Sequence, residues 1–207
     1  MKNKSLDAFY KKFFLGHILI DILTNNCKVI FENKEKIIVE NGIKSSACWD
    51  DDAKTLTIGT RKPVLRWYKN FIHEYCHFLQ WKEKNKIWKY YDKISRQYNS
   101  DDWLAGKNFT KKEIDLMIDT DILLELDCEK RVIDLIKKYN LPFKINKEIQ
   151  EMNAYLYFIS SVRELRKWYK KAPYEVKEIV REMPEVFQKS YKKLPDKFLY
   201  LVKKYCL

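Results

Sequence analysis

The sequence predicts an α+β fold that is mainly helical, with a small antiparallel sheet ahead of a central helix and a helical C-terminal extension. Three observations lead there. Gly (4) and Pro (5) are scarce in 207 residues, which disfavours a turn-rich all-β chain and favours long helices. Residues 28–59 change character, with short β-branched runs at Val29-Ile30-Phe31 and Ile37-Ile38-Val39. Elsewhere apolar residues recur at near-helical spacing.

In chain order, Leu6, Phe9, Phe13, Ile20 and Leu23 mark an amphipathic helix over about residues 6–23. Val29-Ile30-Phe31, Ile37-Ile38-Val39 and Leu56-Thr57-Ile58 read as strands, with Asn41-Gly42 as a turn and residues 49–54 as a polar hairpin connection. Pro63 suits the first turn of a helix running to about Lys84. A short helix follows over residues 87–98, then a loop over 99–108. Thr110 and Glu113 form a capping box that opens a long helix to about Tyr139, ended by Leu141-Pro142. The remainder reads as helix over 147–170, 174–182 and 184–205, punctuated by Pro173, Pro184 and Pro195.

This order suggests a core over residues 1–140 and a basic helical extension over 141–207 packed on it. The chain carries 41 Lys and Arg against 29 Asp and Glu, a net charge of +12. Residues 140–207 hold 15 of those cations and 8 of the acids, so over half the excess lies in this tail. Arg163, Arg166, Lys167, Lys170 and Lys171, interleaved with Trp168 and Tyr169, make a nucleic-acid face conceivable there. No basic run exceeds two residues and acids are interleaved throughout, the pattern of an ordinary solvated helix face. Five dispersed cysteines without a CxxC pair indicate neither a zinc ribbon nor a redox motif, and an odd set suits a reducing, cytoplasm-like compartment. No apolar run is long enough to span a membrane, and residues 13–20 lack the length and cleavage site of a signal peptide. Asp50-Asp51-Asp52 lacks the Gly and Glu of a calcium loop, and neither a phosphate-binding Gly-rich loop nor G-x-S-x-G occurs.

The chemistry concentrates in His73-Glu74-Tyr75-Cys76-His77. Residues i and i+4 lie one turn apart on one helix face, so two imidazoles can grip one ion. The intervening Glu74 flanks that ion, where it can take a proton from bound water whose pKa zinc lowers towards neutrality. A catalytic site needs a further protein ligand. Glu125 and Glu129 are the candidates: they sit one turn apart on the helix face made by Ile118, Ile122, Val132 and Ile136. Acids on an apolar face need partners, and a metal with its histidines would supply them, one Glu ligating and the other orienting a His ring. Asp127 points to the polar side instead. Tyr155, Tyr157 and Arg163 are candidates to stabilise an oxyanion.

His73-Glu74-x-x-His77 followed by a glutamate on a later helix resembles the gluzincin metallopeptidases, especially the minimal type. Residues 5–140 are similar to that zincin-like plan, and the tail, with Asn153-Ala154-Tyr155 and Met183-Pro184, resembles phage-type metallopeptidases of unknown role. The resemblance implies Zn2+ as cofactor, hydrolysis of a protein or peptide substrate, Glu74 as general base, and Leu56-Thr57-Ile58-Gly59 as the edge strand that binds substrate backbone. The expectation is therefore a cytoplasmic zinc endopeptidase, in a host cytoplasm if viral, with no membrane partner. The alternative is a nucleic-acid-binding protein that uses its basic C-terminal helices and has a structural metal or none.

Overall fold

The computed structural model describes residues 4–39 and 44–207, with the side chains of 14–39 and 44–207. The Asn41-Gly42 turn and the apolar side chains Leu6, Phe9 and Phe13 lie outside those residues. The chain divides into two compact units, Met1–Asn85 with Asp134–Pro142, and Lys86–Ile133 with Phe143–Leu207. The fold is α+β and mainly helical, as the sequence predicts.

In the first unit, helix α1 (Lys4–Thr24) ends where Asn26 turns left-handed (φ 57°) and the Cys27 N–H closes back on Ile22 O at 3.2 Å. Five strands follow: β1 (Lys28–Glu32), β2 (Ile37–Ile38), β3 (Lys44–Ser45), β4 (Ala47–Asp50) and β5 (Thr55–Gly59). β4 and β5 form an antiparallel hairpin whose turn is fixed by Ala53 N–H donating to Asp50 Oδ1 at 2.8 Å and by left-handed Lys54. β1 then takes the other side of β5, in parallel, while β2 and β3 pair separately.

This corrects two expectations. The three-stranded sheet is mixed, because β4 carries the chain back and β5 therefore runs in the direction of β1. Leu56-Thr57-Ile58-Gly59 is no edge strand: β5 is the middle of the order β1-β5-β4, with Leu56 and Ile58 fully buried. The outer strand on the hairpin side is β4.

Helix α2 (Val64–Glu83) follows Pro63, whose fixed φ of −51° feeds the chain into the first turn. Its buried face is Tyr68, Phe71, Ile72, Cys76, His77, Phe78 and Gln80, a stripe of helical period. Phe31 packs on Phe71, and Trp49 on Phe78 and Trp81, so aromatic rings fill much of this core. Left-handed Lys84 ends the helix.

In the second unit, α3 (Lys86–Ser95) precedes a segment expected to be a loop. It forms a short helix, α4 (Ser100–Leu104), because Asn99 Oδ1 accepts the Asp101 N–H at 2.7 Å and two acids sit in the first turn. The capping box forms as predicted: Thr110 N–H and hydroxyl both donate to Glu113 Oε2, at 2.7 and 2.8 Å, and open α5 (Lys111–Lys138). Helix α6 (Ile145–Leu165) ends at left-handed Arg166, earlier than the expected Lys170.

Beyond it the helical expectation fails over most of its length. A 3-10 turn (Pro173–Glu175), α7 (Lys177–Val180) and α8 (Phe198–Tyr205) are separated by irregular chain. Fully buried Asn153 donates to Pro184 O and Val186 O, and accepts from the Tyr191 hydroxyl. Gln150 donates to Met183 O. Side chains of α6 thus satisfy backbone groups that a helix over 184–197 would have paired internally. Ala154, Phe158, Val162, Ile179, Phe198 and Val202 are central to this unit's core.

Candidate metal centre

His73, Glu74 and His77 lie on α2. The Nε2 atoms of His73 and His77 approach to 3.1 Å with their rings nearly perpendicular, at 82°. His77 is buried and His73 half-buried. His77 Nδ1 lies 2.8 Å from the side-chain oxygen of Gln80, which is fully buried. Sequence reading missed Gln80, although its i+3 spacing from His77 puts both on the stripe that buries Cys76 and Phe78.

Glu74 is half-buried, and its Oε2 accepts the backbone N–H of Trp49 at 2.8 Å. The bond joins the motif helix to outer strand β4. Tyr75 faces away from the histidines: its hydroxyl donates to Asp21 Oδ2 at 2.8 Å, and burial with that bond pushes its pKa well up. Cys76 is fully buried in core contacts.

Glu125, Cys128 and Glu129 share one stretch of α5. Glu129 and Cys128 are buried, and Glu125 is half-buried. Asp127 pairs with Arg131 at 2.9 Å, on the polar side as the helix register requires. His73 and His77 in the first unit, and Glu125, Cys128 and Glu129 in the second, are of the residue types that could serve a metal ion, Cys128 being an addition to the four predicted.

One turn before Glu125, burial pushes the Asp121 carboxyl up to about 7, helped by the charges of Glu125 and Asp101 and opposed by a Ser100 hydrogen bond and Arg163. Of the three oxyanion candidates, Tyr155 has Glu125 and Glu129 near it. Burial, then Glu125, Tyr169, Tyr174 and Glu129, raise its hydroxyl well above the ordinary value, which keeps it protonated and a donor. Tyr157 packs in the core against Tyr191 and Phe198. Arg163 is held by Asp115, Asp119 and Ser160.

Leu56 and Ile58 are committed to the sheet interior. Gly59 is there for space: a Cβ on it would meet Lys34 O at 2.8 Å and Ser46 O at 3.2 Å. Among the described residues, no helix is long and apolar enough to cross a membrane. Comparison of the chain with protein-family models, with curated proteins and with solved structures returns no match.

Proposed function

We propose that this chain is a zinc-dependent peptidase in which His73 and His77 grip the ion and Glu74 is the general base. The observation that carries the reading is the 3.1 Å approach of the two Nε2 atoms, on the helix whose Glu74 is already oriented by a backbone N–H. That separation is short enough for both Nε2 atoms to be offered to one ion. The ligand set of imidazoles with carboxylate or thiolate suits zinc. The further ligand we propose is the carboxylate that the sequence pattern calls for, Glu125 or Glu129.

Zinc bound there would supply a Lewis acid and a water of lowered pKa. Glu74 would serve as general base, accepting a proton from the attacking water and returning it to the leaving amine. The Trp49 N–H fixes Oε2, so the carboxylate keeps one orientation and presents Oε1 for the transfer.

The test is metal analysis of purified wild type, His73→Ala and His77→Ala, joined to hydrolysis of an unstructured protein such as casein. The expected result is one zinc per wild-type chain, lost in both variants together with hydrolysis. Wild type that takes up no zinc when zinc is supplied overturns the metal reading. Zinc without any hydrolysis across a peptide library overturns the peptidase reading.

A further inference from the structure

Gln80 lies one turn beyond His77 on α2, and its side-chain oxygen is 2.8 Å from His77 Nδ1. Gln80 is 0% exposed and His77 8%. A buried amide is costly unless its polar atoms are bonded, so its orientation here is under tight control. An amide oxygen has no proton to give. With that oxygen facing it, Nδ1 carries the ring proton, and Nε2 carries the lone pair. Nε2 is the atom that faces His73 Nε2 at 3.1 Å.

We infer that Gln80 is a positioning residue of the metal centre: it holds His77 in the Nδ1-protonated tautomer and fixes the ring plane so that Nε2 points at the ion. This rests on the metal reading above. A ligating histidine generally donates its other N–H to an acceptor that sets tautomer and orientation. A carboxylate is the stronger acceptor, but it would add a charge at a fully buried position. The neutral amide fixes the ring without that desolvation cost. Gln80 also contributes to the end of α2, where its backbone oxygen accepts from the Asn85 N–H. That role belongs to the backbone and survives replacement of the side chain.

The experiment compares wild type, Gln80→Leu and Gln80→Glu. Leu keeps the bulk and removes the acceptor; Glu restores an acceptor. Imidazole 15N spectra of the metal-free protein read the tautomer, with only three histidines to assign. Competition with a chromogenic chelator reads zinc affinity. We expect His77 to be Nδ1-protonated in wild type and a tautomer mixture in Gln80→Leu. Zinc affinity should fall roughly 10–100-fold in Gln80→Leu and recover in Gln80→Glu. An Nε2-protonated His77 in metal-free wild type overturns the inference, and so does a Gln80→Leu protein that holds zinc as tightly as wild type. The wild-type tautomer needs no variant and is decisive even if Gln80→Leu does not fold. Wild type that binds no zinc defeats the metal reading itself, and the metal-free spectrum tells that failure apart from a failure of Gln80.

Discussion

Glu74 Oε2 accepts the backbone N–H of Trp49 at 2.8 Å, tying the second residue of the His-Glu-x-x-His motif to an outer strand of the sheet. The bond makes a specific contrast between two substitutions. Gln is isosteric and can still accept from Trp49, but it cannot take a proton from water. Glu74→Gln should therefore keep its zinc and its unfolding midpoint and lose roughly 10²–10⁴-fold in peptide turnover. Glu74→Ala should lose turnover as well, and about 1 kcal/mol of stability, because the Trp49 N–H then lacks its acceptor. Metal content, steady-state hydrolysis and urea unfolding of the two variants check this. A Glu74→Gln protein with wild-type turnover removes Glu74 from the chemistry.

Gly59 closes β5 where three backbone oxygens crowd it. Lys34 O, at 2.8 Å from where a Cβ would stand, belongs to backbone and cannot swing aside as a side chain would. Gly59 N–H also donates to Ser46 O at 2.9 Å, so the strand cannot retreat without losing that bond. Gly59→Ala should destabilise by about 1–3 kcal/mol through overpacking. Urea unfolding reads it, and an unchanged midpoint would mean the neighbouring chain yields freely.

The parts of this structure that were legible in the sequence are those fixed by neighbours in the chain. Thr110 and Glu113 are three residues apart, and their capping box forms as read. His73 and His77 are four apart, so a helix alone brings their Nε2 atoms together. What failed depends on pairing across distance. Leu56-Thr57-Ile58 reads the same whether it is an edge or a middle strand; the partner β1, more than twenty residues earlier, decides. Residues 184–197 have helical composition, yet the amide of Asn153 on another helix claims their backbone oxygens. Asn99 was a local signal overlooked: an Asn followed by Ser100, Asp101 and Asp102 is an N-cap signature, and α4 starts there.

Asn153 provides a direct measure of that long-range control. Its side chain is fully buried and bonded to Pro184 O, Val186 O and the Tyr191 hydroxyl. Asn153→Leu keeps the volume and removes all three bonds, leaving Val186 O and the Tyr191 hydroxyl only their bonds from Gln188, which should cost roughly 2–4 kcal/mol. Tyr191→Phe removes the bond to Asn153 and the one the hydroxyl accepts from the Gln188 N–H, and should cost about 1–2 kcal/mol. Equal effects in thermal or urea unfolding would mean that the 184–191 segment is held by packing rather than by the amide.

Asp121 makes the stability of the metal-free protein depend on pH in a predictable direction. In the unfolded chain its carboxyl titrates near 3.9. In the folded chain burial, with the charges of Glu125 and Asp101, pushes it up to about 7 despite the Ser100 bond and Arg163. Between those values the folded state holds a proton that the unfolded state has lost. The unfolded state therefore binds fewer protons, and stability falls as pH rises through this window. The contribution is fully present below about pH 4 and gone once the folded-state carboxyl ionises. Asp121→Asn is neutral at every pH and keeps the shape, so it should remove this part of the slope. At pH 8 the variant should be more stable than wild type, by up to about 4 kcal/mol. Urea unfolding with chelator present at pH 4.5, 6 and 8 measures it. A slope unchanged by the substitution would assign the pH dependence to other groups and return Asp121 to an ordinary ionised carboxylate.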